Sequence, residues 1–141
     1  MLPAMSSLRV LSQSGVLLLL ISAIGCSSGE YSDLGQVTGQ VTMDGQPLPE
    51  ALVRFSPSSG RPAMGVTDAE GNYELIYVRD IRGAEPGEYD VEITTWFRPE
   101  TIEDAHKKRT EKIPTKYNKR TTLSATVEQG KNEIDFPLES K

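Results

Sequence analysis

From residue 37 onward, apolar and polar residues alternate with period two, the spacing of strands that bury one face. Val37, Val41 and Met43 share one parity with Gly39 between them, while Gln36, Thr38, Gln40 and Thr42 take the other. Ala51, Val53 and Phe55 repeat the pattern against Leu52, Arg54 and Ser56. Met64 and Val66 predict a short third strand, and Tyr73, Leu75 and Tyr77 a fourth. In the fifth, Tyr89, Val91 and Ile93 oppose Asp90, Glu92 and Thr94. Leu123, Ala125 and Val127 form the sixth; Ile134, Phe136 and Leu138 the seventh, with Pro137 marking an edge or a strand end.

Turn residues separate these segments. Asp44-Gly45, Pro57-Ser58-Ser59-Gly60, Asp68-Ala69-Glu70-Gly71, Pro86-Gly87 and Gln129-Gly130-Lys131-Asn132 each fall between two alternating runs. Pro47 and Pro49 forbid a helix in the first connection. Seven short strands with regular turn signals predict an all-β sandwich in which every second side chain, from Val37 to Leu138, enters one interior.

One stretch breaks the pattern. Residues 98–114 show no period of two and are dense in charge around His106. Thr101 and Asp104 stand at capping spacing, with acids first and Lys107, Lys108 and Arg109 last, which suits a short helix by dipole logic. A mobile charged loop is the alternative.

The N-terminus has a different character. Arg9 precedes an apolar run at residues 16–24, interrupted only by Ser22, and Gly25 and Cys26 follow. That run is shorter than the roughly 20 residues needed to span a bilayer but suits the apolar core of an export signal. Ala23-Ile24-Gly25-Cys26 resembles the lipobox of bacterial lipoproteins, with Ala23 where leucine is usual. The resemblance implies cleavage after residue 25 and a diacylglycerol on Cys26, and Ser27 at the next position favours the outer membrane over the inner. Cys26 is the only cysteine, so no intrachain disulfide forms. The expected organisation is therefore a signal peptide at 1–25, a tether at 26–35 and a sandwich at 36–141.

The chain carries a formal net charge of −5, and loss of the signal with Arg9 makes the remainder more acidic still. Nucleic-acid affinity comes largely from Lys and Arg on phosphates, so a nucleic-acid partner is not expected.

Several motifs carry a family likeness. Gly39-Gln40-Val41-Thr42, Asp44-Gly45-Gln46-Pro47-Leu48, Ala51-Leu52-Val53-Arg54-Phe55, Thr67-Asp68-Ala69-Glu70-Gly71-Asn72-Tyr73 and Pro86-Gly87-Glu88-Tyr89-Asp90-Val91 resemble the carboxypeptidase regulatory-like domain. That likeness implies a transthyretin-like, Ig-like β-sandwich over most of residues 36–95. The tail, with Ile113-Pro114-Thr115-Lys116-Tyr117-Asn118, Thr121-Thr122-Leu123 and Gly130-Lys131-Asn132, is similar to the ending of short bacterial lipoproteins built on this domain. Such domains are mostly non-catalytic accessory modules, so the resemblance implies a fold and a location rather than a reaction.

Candidate chemistry is sparse. Transthyretin-like folds include a hydrolase of a urate-derived ring that depends on several histidines and a Tyr-Arg-Gly-Ser type ending. This chain has His106 alone and ends in Leu138-Glu139-Ser140-Lys141. Nucleophilic catalysis by serine or cysteine needs a base held by a third group, and one histidine does not supply the usual zinc set. Asp68, Glu70 and Asn72 offer oxygens around Gly71, but without the twelve-residue calcium loop the simpler expectation is a hairpin turn. Asp44 is likewise expected to form a turn. Trp96, Phe97 and Tyr117 form a candidate ligand surface beside the charged loop, with packing under that loop as the alternative. Lys107, Lys108 and Arg109, flanked by Glu103, Asp104 and Glu111, are expected to form a solvated patch.

The expectation is a lipid-anchored, non-enzymatic module of the cell envelope, without cofactor or metal, that binds or supports an envelope partner. The alternatives are a glycan-binding, adhesin-like domain using Trp96 and the 98–114 loop, and third, a hydrolase.

Overall fold

The computed structural model of the chain describes residues 29–96, 100–108 and 110–141. The first strand, β1 (Gly35–Met43), alternates as its sequence predicts, with Val37 and Val41 completely buried. Asp44 and Gly45 both adopt positive φ, 50° and 81°, which closes a two-residue hairpin onto β2 (Gln46–Pro47). The chain continues through β3 (Ala51–Pro57), β4 (Ala63–Val66), β5 (Asn72–Glu74), β6 (Ile76–Val78) and β7 (Ile81–Arg82). Then follow β8 (Gly87–Thr95), a helical turn α1 (Ile102–Ala105), a 3-10 turn at Thr115–Tyr117, β9 (Leu123–Val127), β10 (Gly130–Glu133) and β11 (Phe136–Leu138).

These strands form two sheets. In the first, β1 is parallel to β10 and β11 and antiparallel to β5 and β2. Thr38 pairs with both Glu133 and Glu74, and Met43 with both Leu138 and Gln46, so the two groups of partners flank β1 on opposite sides. The second sheet has the order β7-β6-β4-β3-β8-β9. Its longest contact is the antiparallel register of β3 with β8, from Ala51↔Thr95 to Pro57↔Tyr89.

The inner faces meet in one core. Val53, Phe55, Val91, Ile93 and Val127 from the second sheet pack against Val37, Val41, Leu75, Phe136 and Leu138. The Phe55 ring lies 5.7 Å from Tyr89 and 6.0 Å edge-on to Phe136, which joins the sheets at their centre. Burial of each such large side chain contributes about 1.5–3 kcal/mol. The sandwich expected from the alternation is the observed architecture.

Three details differ from expectation. Of the turn expected at Gln129-Gly130-Lys131-Asn132, the last three residues belong to strand β10, and Ile134 falls between β10 and β11, because this segment pairs with β1 in parallel. Met64 and Val66 do not face the core; Ala63 and Gly65 do, and the larger pair lies exposed on the outer face. The reason is a crossing strand. The segment expected as one fourth strand is divided: Tyr73 belongs to β5 in the first sheet, Tyr77 to β6 in the second, and the chain passes between sheets at Leu75. Where it crosses, a Cβ on Gly65 would overlap the Glu74 carbonyl, so that inner position of β4 has no room for a side chain.

Gly39 occupies a similar narrow place without needing an unusual φ. A Cβ there would overlap the Ile134 carbonyl and press on the Tyr73 ring, whose hydroxyl donates to that same carbonyl at 2.5 Å. Replacement of Gly39 by Ala is expected to destabilise the fold by about 3 kcal/mol through overpacking. Gly45→Ala, which suffers only from positive φ, is expected to lose about 1–2 kcal/mol. Urea denaturation of both variants checks this order; a larger loss at Gly45 would contradict the close approach at Gly39.

Candidate functional site

The end of β8 and the start of β3 bring Trp96 to the outer face of the second sheet. Its amide donates to the Glu50 carbonyl at 2.7 Å, and its side chain continues the outward parity opposite to Tyr89, Val91 and Ile93. There it meets the outward residues of neighbouring strands. Leu52 is paired with Val66, and Met64 with Ile76, so apolar side chains from β3, β4 and β6 lie in adjacent rows. With Trp96 they line an open hollow of about 480 Å³. Met64, Val66 and Trp96 are 45%, 40% and 40% exposed, which makes this a contiguous apolar surface rather than scattered single residues.

The rim is polar. Arg82 Nη1 lies 3.4 Å from Glu74 Oε2 at the edge of the hollow. Toward β8 the same face turns charged, through Arg54 paired with Glu92. An indole face beside a carboxylate and a guanidinium can stack on a sugar ring or an apolar side chain while the rim groups take up hydrogen bonds.

The other candidates lie elsewhere. Tyr117 is buried in the core cluster, its hydroxyl accepting from the Glu139 amide at 2.9 Å and its ring 5.0 Å from Lys116 Nζ. It holds the C-terminal segment, and Trp96 does not share its surroundings. Phe97 and Cys26 lie outside the described residues. Asp68 Oδ1 accepts from the Glu70 and Asn72 amides at 2.9 Å each, the geometry of a turn former. Asp44 Oδ1 accepts from the Ser140 amide at 3.0 Å, and hydrogen bonds from Ser140 hold its carboxyl below the usual range. Among the described residues, no group of three or more His, Cys, Asp and Glu is arranged to hold a metal ion. Nor is any helix there long and apolar enough to cross a membrane.

Within the charged stretch the short helix forms. Thr101 Oγ1 accepts from the Asp104 amide at 3.0 Å, and Lys107 bonds the Asp104 carboxylate. His106 Nδ1 lies 2.7 Å from the Ile102 carbonyl on an exposed surface. The base of this excursion is closed by two residues that the sequence pattern did not single out. Glu111 accepts from the Thr95 amide and hydroxyl and from the Ile113 amide, at 2.7–3.1 Å. Asn118, buried below, donates to the carbonyls of Ile93, Ile113 and Pro114. Together they fix the two ends of the loop beside Trp96. Asn118 stood within the tail motif, whereas Glu111 looked like one more surface acid.

At the other end of β8, Tyr31 packs edge-on against Tyr77, ring centroids 5.7 Å apart, and Tyr77 donates to Glu85 at 2.7 Å. Gly35 pairs with Ala84 beside them. The chain therefore enters the sandwich at the end opposite Trp96.

No protein-family profile matches this chain, and no curated protein matches it. Among solved structures it is similar to the crystal structure of a DUF3823 family protein from Parabacteroides merdae. The two are 18% identical, the match covers 73% of this chain and 44% of that one, and the TM-score is 0.40. This chain thus spans less than half the length of that protein.

The clasp at Glu111 has a pH signature. Burial pushes its carboxyl up, but the bonds from Thr95, Ile113 and Lys112 outweigh that effect and hold it below its ordinary value of 4.5. Its contribution to stability is fully present above that value and is lost as pH falls through the lowered one. Glu111→Gln is expected to be less stable than the parent at neutral pH, with the gap closing as pH falls below 4.5 and through the lowered value. Denaturation midpoints across that range check it; a pH-independent gap would contradict the role of the ionised group.

Proposed function

We propose that this protein is a lipid-anchored, non-enzymatic module of the cell envelope, held to a membrane through Cys26 and presenting its β-sandwich to an envelope partner. The observation that carries the reading is the lone Cys26 placed directly after the apolar run at 16–24 and Gly25. Acyl chains on that cysteine would supply about 0.8 kcal/mol per buried methylene, enough for stable attachment when more than one chain is present. The likeness to carboxypeptidase regulatory-like domains supports an accessory role, and Ser27 favours the outer membrane. The arrangement of the sandwich suits a tethered module. Chain entry at Gly35, bridged to Ala84 just before β8, and Trp96 just past its end lie at opposite ends of that nine-residue strand.

Growth with an alkyne fatty acid tests the anchor. The parent is expected to take up label and to sediment with membranes, whereas Cys26→Ser is expected to do neither. Equal labelling and fractionation of the two would overturn the lipid attachment.

A second reading is favoured by the exposure of Trp96: the partner is a glycan, stacked on the indole and hydrogen-bonded by Glu74 and Arg82. On a glycan array the parent is then expected to bind, and Trp96→Ala to lose at least about tenfold in affinity, the scale of one lost aromatic contact. Binding that is absent, or unchanged in Trp96→Ala, would remove the glycan reading.

A further inference from the structure

An edge strand leaves a row of backbone groups without partners, and proteins usually guard such edges with charge, proline or brevity. Most edges of this sandwich are guarded. In the first sheet β2 and β11 contain Pro47 and Pro137, and β10 carries Lys131 and Glu133. At one end of the second sheet, β7 has two residues, one of them Arg82. The opposite end is β9, Leu123-Ser124-Ala125-Thr126-Val127, with five residues and neither charge nor proline. It pairs with β8 along its whole length, from Val91↔Leu123 to Gly87↔Val127, and no described strand takes its other side.

The residues around β9 indicate what fits there. Lys119 and Arg120 precede the strand and Glu128 follows it. Antiparallel pairing with an identical strand, centred on Ser124, sets the basic end of each copy beside the acidic end of the other. Parallel pairing would set like charges together. In the same register Leu123 of one copy faces Ala125 of the other. Both are only half-buried at the open side of the core, so each would complete the cover of the other. The contact is self-complementary, as a two-fold dimer requires.

We propose that β9 is the docking edge for a second copy of this chain, joining two six-stranded sheets into one continuous sheet through antiparallel β9 pairing centred on Ser124. The pairing lies on a different edge from the Trp96 hollow, so it leaves that surface open in both copies.

Disulfide trapping in the full chain tests this, in a Cys26→Ser background so that the result does not depend on lipid attachment. At the centre of the register, Ser124→Cys places two thiols within about 4.5–5.5 Å between Cα atoms, a separation that a disulfide bridges. Mild oxidation is expected to convert Ser124→Cys to a covalent dimer and to leave Met64→Cys, on the outer face, monomeric. Adding Glu128→Lys is expected to lower the yield about threefold to fivefold, the scale of exposed ion pairs, and adding Lys119→Glu with Arg120→Glu to restore it. In the uncrosslinked chain, Thr126→Lys is expected to shift sedimentation from dimer to monomer while circular dichroism stays unchanged. Trapping to other proteins instead of to itself, equal trapping at Met64→Cys, an absence of dimer, or indifference to charge reversal would each overturn the proposal.

Discussion

The fold depends on the pairing of β1 with the last segment of the chain. A single strand supplies the middle of the first sheet, and its partners come from both near and far in sequence: β2 and β5 on one side, β10 and β11 on the other. Because β10 and β11 are parallel to β1, no tight hairpin can make this contact. The whole remainder of the sandwich lies between the two paired segments in sequence. The C-terminal segment supplies Phe136 and Leu138, which cover the inner face of the second sheet, so loss of this pairing would open the core along its length. Gly39 is the narrowest place in the arrangement. The Ile134 carbonyl and Tyr73 ring approach it from opposite flanks of β1, and a residue with any side chain would force them apart.

Most of the core could be inferred from alternation because a strand buried on one face has only two arrangements, and Val53-Phe55 or Val91-Ile93 leave no doubt about which is inward. In β4 the same inference fails. Its sequence, Ala-Met-Gly-Val, offers a choice between two small residues and two larger ones, and hydrophobicity alone selects the larger pair for the core. The deciding factor is the space left by the crossing chain at Glu74 and Leu75, a contact between segments that local periodicity does not contain. The fourth strand failed for a related reason. Tyr73, Leu75 and Tyr77 share one parity, but nothing in that parity records a transfer between sheets in the middle.

The candidate surface was legible in a similarly uneven way. Trp96 follows from its outward parity at the end of β8, but hydrophobicity alone selects Met64 and Val66, which complete the hollow, for the core. Tyr117 was grouped with Trp96 because both flank the charged stretch in sequence. Flanking the same loop does not place two residues on the same face. The 3-10 turn carries Tyr117 under the loop, where its hydroxyl meets the chain end, while the hydrogen bonds of Glu111 to Thr95 hold the other flank against β8. A residue such as Glu111 is difficult to distinguish in sequence, since its role comes from three donors that converge on it only in the folded chain.

Charge distribution separates the surfaces that remain. The outward positions of β8, Glu88, Asp90 and Glu92, place acids on the strand next to the β9 edge of the second sheet, and the chain as a whole is acidic. Like charges on that face oppose stacking of one sandwich upon another. The apolar hollow lies beyond this acidic strip at one end, and the neutral edge of β9 lies beyond it on the far side. A face contact at Trp96 uses side chains and selects by shape and chemistry. An edge contact at β9 uses backbone groups and selects by register and the charges at its ends. The two are independent because they draw on different atoms, and a sheet extended at β9 would carry two such hollows on a common outer face.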